Sequence, residues 1–249
     1  MKQKRDLFVI WSSSKMLKKI SSKFTSHDAT YKLNWNEYPV FVSGISTPTG
    51  VFFQTYMALS SHEDTTAWSY IFKFHKSVIG TYPKFCMADG AWEITNAVKD
   101  IFGNDTTRLM CWSHTYRCIK PKLAGLRKIN KKLGDQVLDD IKEMQRLIIS
   151  NDEFLVIWDL FSKKYMDGSF TREEQLELAK FFNYCTPQWG PGSHVSNWWE
   201  GAHAFHTGNN QGIASRNKSM KEDFSYRERL PMSRMIEMNE NIIRQLSLF

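Results

Sequence analysis

A chain of 249 residues can bury a sizeable core, and its 42% hydrophobic and 14% aromatic content, with nine Trp and seventeen Phe, excludes a disordered polymer. No apolar run reaches the roughly 18 residues of a membrane span, so no membrane partner is expected, and Leu7–Trp11 is too short an apolar stretch for a secretory signal. The net charge of +7, from 33 Lys and Arg against 26 Asp and Glu, is by itself only a mild pointer to a polyanionic partner. Cys86, Cys111, Cys118 and Cys185 form no regularly spaced framework, which fits a reducing intracellular compartment.

Residues 1–23 are a basic segment in which only Asp6 opposes the Lys and Arg residues. Phe24–Leu33, Pro39–Ile45 and Val51–Leu59 are rich in β-branched and aromatic residues and predict three strands. The turn signals Asn34-Trp35-Asn36 and Pro48-Thr49-Gly50 separate them, so an antiparallel meander is expected. Thr65–Ile79 predicts a helix, entered after Asp64. A short strand Phe85–Ala88, a helix Ile94–Phe102 and a strand Thr107–Cys111 follow. This order, β-β-β-α-β-α-β, predicts an α/β fold: a mixed sheet with flanking helices, in the order of ribonuclease H-like proteins.

From 115 to 206 the strand signal vanishes. Lys120–Leu133, Gln136–Ile149, Glu153–Tyr165 and Thr171–Tyr184 predict helices, with breaks at Gly134, Ser150-Asn151 and Asp167-Gly168 and a stop at Pro187. The first part of the core is therefore placed at 24–114, a helical insertion at 115–206, and a C-terminal helical part of the core at 207–249. The chain is expected to return to the sheet near Asn209, with helices at Ser215–Asp223 and from Met232 onward.

Asp28 interrupts a strand-like run, where a charge is poorly favoured, and Asp89 ends another strand before Gly90. Two carboxylates on adjacent strands could share a hard divalent cation such as Mg²⁺; an edge-strand Asp and a turn Asp are the plainer alternative. Cys111-Trp112-Ser113-His114 could be half a zinc site, with Cys118 and Cys86 as completions. A small buried Cys beside a helix-start His is the simpler account. Between Thr115 and Lys132 lie seven basic residues and no acidic one. Arg117, Lys120, Arg127, Lys128, Lys131 and Lys132 are the candidate DNA contacts in that stretch. His203 and His206 could share a helical face, most simply with a local surface role.

Four stretches together resemble the Mutator-like (MULE) transposases, over about residues 7–240. They are HDATYKLNWNEYPVFVSGIS, MALSSHEDTTAWSYIFKFHK, CMADGAWEITNAVKDIFGNDTTRLMCWSHTYRCIKPKL and NNQGIASRNKSMKEDFSYRERLPMSRMI. The resemblance implies a ribonuclease H-like core with a helical insertion before the final active-site helix. It further implies an Asp-Asp-Glu triad with two Mg²⁺ or Mn²⁺ ions that cuts transposon ends and joins them to target DNA, hence a nuclear setting. Asp28 and Asp89 take the places of the two aspartates, and Cys111 and His114 those of a pair near the active site. End recognition is expected to lie in an upstream part, and the resemblance leaves room for a homo-oligomer.

One position departs. In N-N-x-G-[IL]-E-x-x-N the acidic residue is Ala214 here, and a methyl group cannot coordinate a metal. Glu200, Glu222 and Asp223 are the acids nearby, but Glu222 lies about 12 Å further along a helix. The expectation is weak metal binding and an impaired transposase, or a non-catalytic DNA-binding or protein-interaction module of the same fold. A zinc-stabilised regulatory domain on Cys111 and His114 is the third reading.

Overall fold

The computed structural model describes residues 7–20, 23–47, 51–203 and 211–248. The chain forms two compact units: Met1–Arg108 with Asn210–Phe249, and Leu109–Asn209. In chain order the regular elements are β1 (Phe8–Trp11), α1 (Ser14–Leu17), β2 (Phe24–Thr30), β3 (Val40–Ser46) and β4 (Phe52–Ser60). Next come α2 (Thr65–Ile79), β5 (Phe85–Ala88), α3 (Trp92–Phe102) and β6 (Thr107–Met110). Five helices follow: α4 (Trp112–Lys122), α5 (Ala124–Ile129), α6 (Lys131–Leu147), α7 (Asn151–Met166) and α8 (Arg172–Trp189). The last two are α9 (Gln211–Ser219) and α10 (Met232–Leu246).

The six strands make one mixed sheet in the order β1-β4-β3-β2-β5-β6. The meander β2–β3–β4 is antiparallel and β2 pairs with β5 in parallel. The fold is thus α/β with helices against a six-stranded sheet. The extra strand is β1, inside the segment read above as merely basic: Phe8 to Trp11 pair antiparallel with Ser60 to Met57 at the sheet edge. Four residues carry too little periodicity to announce a strand, and pairing with a neighbour supplies what propensity does not. The expected turn Pro48-Thr49-Gly50 and the return near Asn209 lie outside the described residues.

Because strand side chains alternate, the first unit has two cores. On one face Phe41, Tyr56, Ala58, Cys86 and Ala88 pack against Trp68, Ile71 and Phe72 of α2 and Ile94 of α3. On the other, Val40, Val42, Met57 and Leu59 pack against Ile213 of α9 and Met235 and Ile242 of α10. Helix α2 is bounded as its sequence dictates. The Asp64 side chain accepts the Ala67 N–H at 2.8 Å at its start, and Gly80 takes the left-handed φ of 70° at its end.

In the second unit every regular element after β6 is helical among the described residues. Its core is aromatic, built on Phe154, Trp158, Phe161, Phe181, Trp189 and Trp198. The single helix expected over Lys120–Leu133 is instead two. Pro121 falls in the last turn of α4, and Asn130 caps α6 by accepting the Leu133 N–H at 3.0 Å. Gly134 is not a break but a buried residue of α6, where a Cβ would come within 2.5 Å of Arg127 Cγ. Helix α8 runs past Pro187 to the buried Trp189. His203 is fully buried, its Nε2 3.3 Å from the Met110 carbonyl, so its expected surface role is corrected; His206 lies outside the described residues. No described helix is long and apolar enough to cross a membrane.

Candidate functional site

The parallel ladder between β2 and β5 pairs Phe24 with Phe85, Thr25 with Cys86 and Ser26 with Met87. Carried on in the same register, it sets His27 level with Ala88 and Asp28 level with Asp89. Neighbouring strands lie about 4.8 Å apart, so on that register Asp28, within β2, comes beside Asp89, one residue past the end of β5. Asp28 also pairs with Val42, and Val42 with Met57, which puts Asp28 on the sheet face that α9 and α10 cover.

Helix α9 approaches that face closely because of Gly212. A Cβ there would stand 2.4 Å from Phe52 Cβ of β4, so any other residue would force the helix off the sheet. The buried side of α9 carries Ile213, Asn217 and Met220, spaced by four and three residues as one helical face requires. From it the Asn217 Nδ2 donates to Asp28 Oδ2 at 2.9 Å, a bond spanning 189 residues of sequence. Asp28 Oδ1 accepts the Ala29 N–H at 3.1 Å. The Asn217 side chain is buried to 8% exposure, and its Oδ1 has no hydrogen-bond partner among the described residues. Ala214 is exposed, one turn before Asn217 on the same helix.

Asp89 is fixed from its backbone. Arg108 Nη2 donates to the Asp89 carbonyl and Nη1 to that of Ala88 at 3.4 Å, while Asp89 Oδ1 accepts the Ala91 N–H at 3.0 Å. Both aspartates are half-buried. The field around them is acidic on the Asp89 side. Burial chiefly, then the hydrogen bond to Glu63 and the charges of Glu63, Asp89 and Glu93, push the Tyr31 hydroxyl far above its usual range. Burial likewise raises the Glu63 carboxyl, with Asp89 adding to it. On the Asp28 side stands a cation: burial lowers the Lys221 ammonium, and the Asp28 charge acts against that.

The other acids considered for the third position are engaged elsewhere. Glu222 pairs with Arg227 and, at 3.8 Å, Lys218; Asp223 accepts from Ser219 Oγ at 2.5 Å; Glu200 accepts from Gln145 Nε2 at 3.0 Å. Among the described residues no three His, Cys, Asp or Glu side chains are grouped to hold a metal ion.

Cys111 and His114 belong to the second unit. Cys111 is buried and is the residue before α4, and the His114 N–H donates to its carbonyl at 3.1 Å, closing the first turn. Among the proposed completions, Cys118 is exposed on α4 and Cys86 is buried in β5 of the first unit. Of the basic candidates, Arg117, Lys120, Lys128, Lys131 and Lys132 are exposed. Arg127 is half-buried and paired with Asp135 at 2.8 Å, which neutralises much of its charge.

Reasoning on the sequence found both aspartates but not Asn217. Its signal was the closing Asn of the N-N-x-G-[IL]-E-x-x-N motif, three positions after Ala214 and on the helical side of the apolar Ile213 and Met220. No protein-family model matches the chain, and no curated protein matches it. The family resemblance therefore rests on the residues quoted above.

Proposed function

We propose that this chain is the catalytic core of a DNA transposase of the Mutator-like kind, on a ribonuclease H-like fold, impaired at its third acidic position. The reading rests on the β2–β5 ladder, which pairs Ser26 with Met87 and, continued two residues, would bring Asp28 level with Asp89, and on α9 reaching Asp28 through Asn217. The surrounding order supports it, with the first strand of a three-strand meander central and parallel to the strand that follows α2. In such α/β sheets ligands bind beyond the carboxyl ends of the strands; Asp89 directly follows β5, and Asp28 lies two residues before the end of β2.

The donors available are hard oxygens, which suits Mg²⁺ or Mn²⁺. Each bonded carboxylate oxygen keeps a second lone pair. Asp28 and Asp89 would hold the ions, which supply activation of the attacking oxygen and stabilisation of the leaving one in phosphodiester transfer. The chain's own groups do the positioning. Arg108 and the Ala91 N–H fix Asp89, and Asn217 and the Ala29 N–H fix Asp28. Lys120, Lys128, Lys131 and Lys132 supply phosphate contacts for the DNA partner.

Ala214 favours a second reading, a module that keeps the fold and the DNA partner without the chemistry. Ala214→Glu separates the two. Restored Mn²⁺-dependent nicking of supercoiled plasmid supports the transposase core. Plasmid binding by both proteins, with no nicking by either at any Mn²⁺ concentration, supports the non-catalytic module.

A further inference from the structure

We propose that Asn217 is a cation ligand: its amide oxygen supplies the third protein oxygen of the Asp28–Asp89 site, a role that position 214 cannot fill with a methyl group. The inference rests on the divalent-ion reading above and adds to it a residue outside the acidic set.

The argument begins with an accounting of hydrogen bonds. A buried amide presents two N–H donors and a carbonyl acceptor, and an acceptor left without a partner costs about 1–3 kcal/mol. In Asn217 one donor is used, on Asp28 Oδ2 at 2.9 Å. The acceptor, Oδ1, is buried and has no partner among the described residues. The assignment of the two amide atoms is not interchangeable here. Turning the amide over would set its oxygen against the Asp28 carboxylate, two acceptors with no proton between them.

The orphaned oxygen is therefore held on the amide whose other arm grips Asp28. Within one amide the nitrogen and oxygen share a carbon, so Asn217 Oδ1 and Asp28 Oδ2 cannot be far apart. A neutral acceptor beside an anionic one is what a cation seeks; asparagine carbonyls and aspartates commonly serve hard divalent ions together.

The same bond explains why Ala214 can be tolerated. Position 214 lies one turn before Asn217 on α9, exposed at the rim, whereas Asn217 is already buried over Asp28. Two carboxylates hold an ion loosely against its hydration shell. A third oxygen that needs no further ordering strengthens that grip, because burial has already fixed the Asn217 side chain.

Mn²⁺ titration by calorimetry, with melting temperatures measured with and without Mn²⁺, tests this on the full chain and three variants. Asn217→Ala should weaken Mn²⁺ binding at least about tenfold, the scale seen even when a partner that merely orients a ligand is lost. Asn217→Asp, which keeps the shape and adds a charge, should tighten it and enlarge the Mn²⁺-induced rise in melting temperature. Asp89→Asn should weaken it as Asn217→Ala does.

If Asn217→Ala lowers the melting temperature equally with and without Mn²⁺ and leaves the affinity unchanged, Asn217 only tethers α9 and the inference is overturned. The two-aspartate reading survives that result provided Asp89→Asn still weakens binding. If Asp89→Asn also leaves the affinity unchanged, that reading fails with it. Should Asn217→Ala not fold, Asn217→Asp decides alone: affinity no better than the parent's overturns the inference.

Discussion

On one face of the sheet His27 sits between two hydroxyls, its Nδ1 2.9 Å from Ser43 Oγ and its Nε2 2.9 Å from Thr25 Oγ1, beneath Phe72. One residue along the same strand, on the opposite face, Asp28 accepts from the Asn217 amide and the Ala29 N–H, and it stays half-buried. The first face is closed over by α2 and α3, though His75 Nε2 finds no partner there among the described residues; the second stays open at the half-buried Asp28. On the first, the hydroxyls, Tyr56 and His75 meet one another, with Tyr56 Oη 3.2 Å from His75 Nδ1 under Trp68 and Phe72. On the second, Asn217 Oδ1 of α9 has no partner among the described residues. What sets the second face apart is that its unmet acceptor lies on the amide that grips a half-buried carboxylate, where the two oxygens can be shared by a cation.

If the closed face serves stability and the open face serves binding, substitutions should sort accordingly. The largest effect is expected from Phe72→Ala. Phe72 is fully buried and touches His27, Trp68 and Phe102, so its loss should cost about 3–5 kcal/mol in denaturant unfolding. Mn²⁺ affinity of the folded protein should not change. A parallel collapse of Mn²⁺ binding, under conditions where circular dichroism shows the fold intact, would break the division between the faces.

Acid should act on the closed face next most strongly. Burial chiefly, helped by the charges of His75 and Arg108, holds the His27 imidazole well below its usual value, and burial lowers His75 to about 4. Tyr56 and Cys86 share this surrounding and are pushed up by burial, Cys86 to about 11, so neither titrates in acid. A lowered folded-state value means that the unfolded chain binds the proton first. The stability is therefore complete above about pH 6.5 and is lost as the pH falls toward 4, by roughly 3 kcal/mol for His75 alone. Urea midpoints measured from pH 7.5 to pH 4 check this, and His75→Gln should flatten the profile. An unchanged profile in that variant would assign the acid sensitivity to carboxylates instead.

How much of this was legible depended on how local each cause was. Helix α2 and strand β5 fall where the sequence predicts them, because Asp64, Gly80 and the Asp89-Gly90 turn act within a few residues of themselves. Strand β1 escaped because four residues become a strand only beside β4. Gly134 misled because a glycine in a helix usually weakens it, whereas here the close approach of Arg127 requires the missing side chain. Asp28 stands out as a charge in a strand and Asp89 as a strand-end Asp before Gly90, but it was the family resemblance that assigned the two to one site. Asn217 closes the N-N-x-G-[IL]-E-x-x-N motif, but its role was not legible, since its partner lies 189 residues away. The helical stretch after residue 115 was recognisable from period alone, but its breaks were not. They follow from Pro121 and the Asn130 cap, two features that act at a single turn.

The smallest predicted effect bears on the open face alone. Lys221 lies one turn beyond Asn217 and carries the charge that Asp28 feels most directly among those named, while burial works against that charge. An ammonium near Asp28 competes with any other cation for the same field. Removing it with Lys221→Met keeps an unbranched side chain of similar length and takes away the charge that acts with Asp28. The interaction is partly exposed and screened, so its worth is below about 1 kcal/mol, or at most roughly fivefold tighter Mn²⁺ binding. The acid profile set by His75 should not move, because Lys221 and His75 stand on opposite faces of the sheet. Calorimetry against Mn²⁺ at low ionic strength is the sensitive measurement, since salt weakens the effect further. Weaker binding in Lys221→Met would show that the lysine holds α9 in place more than it competes with the ion, and a shifted acid profile would show that the two faces communicate after all.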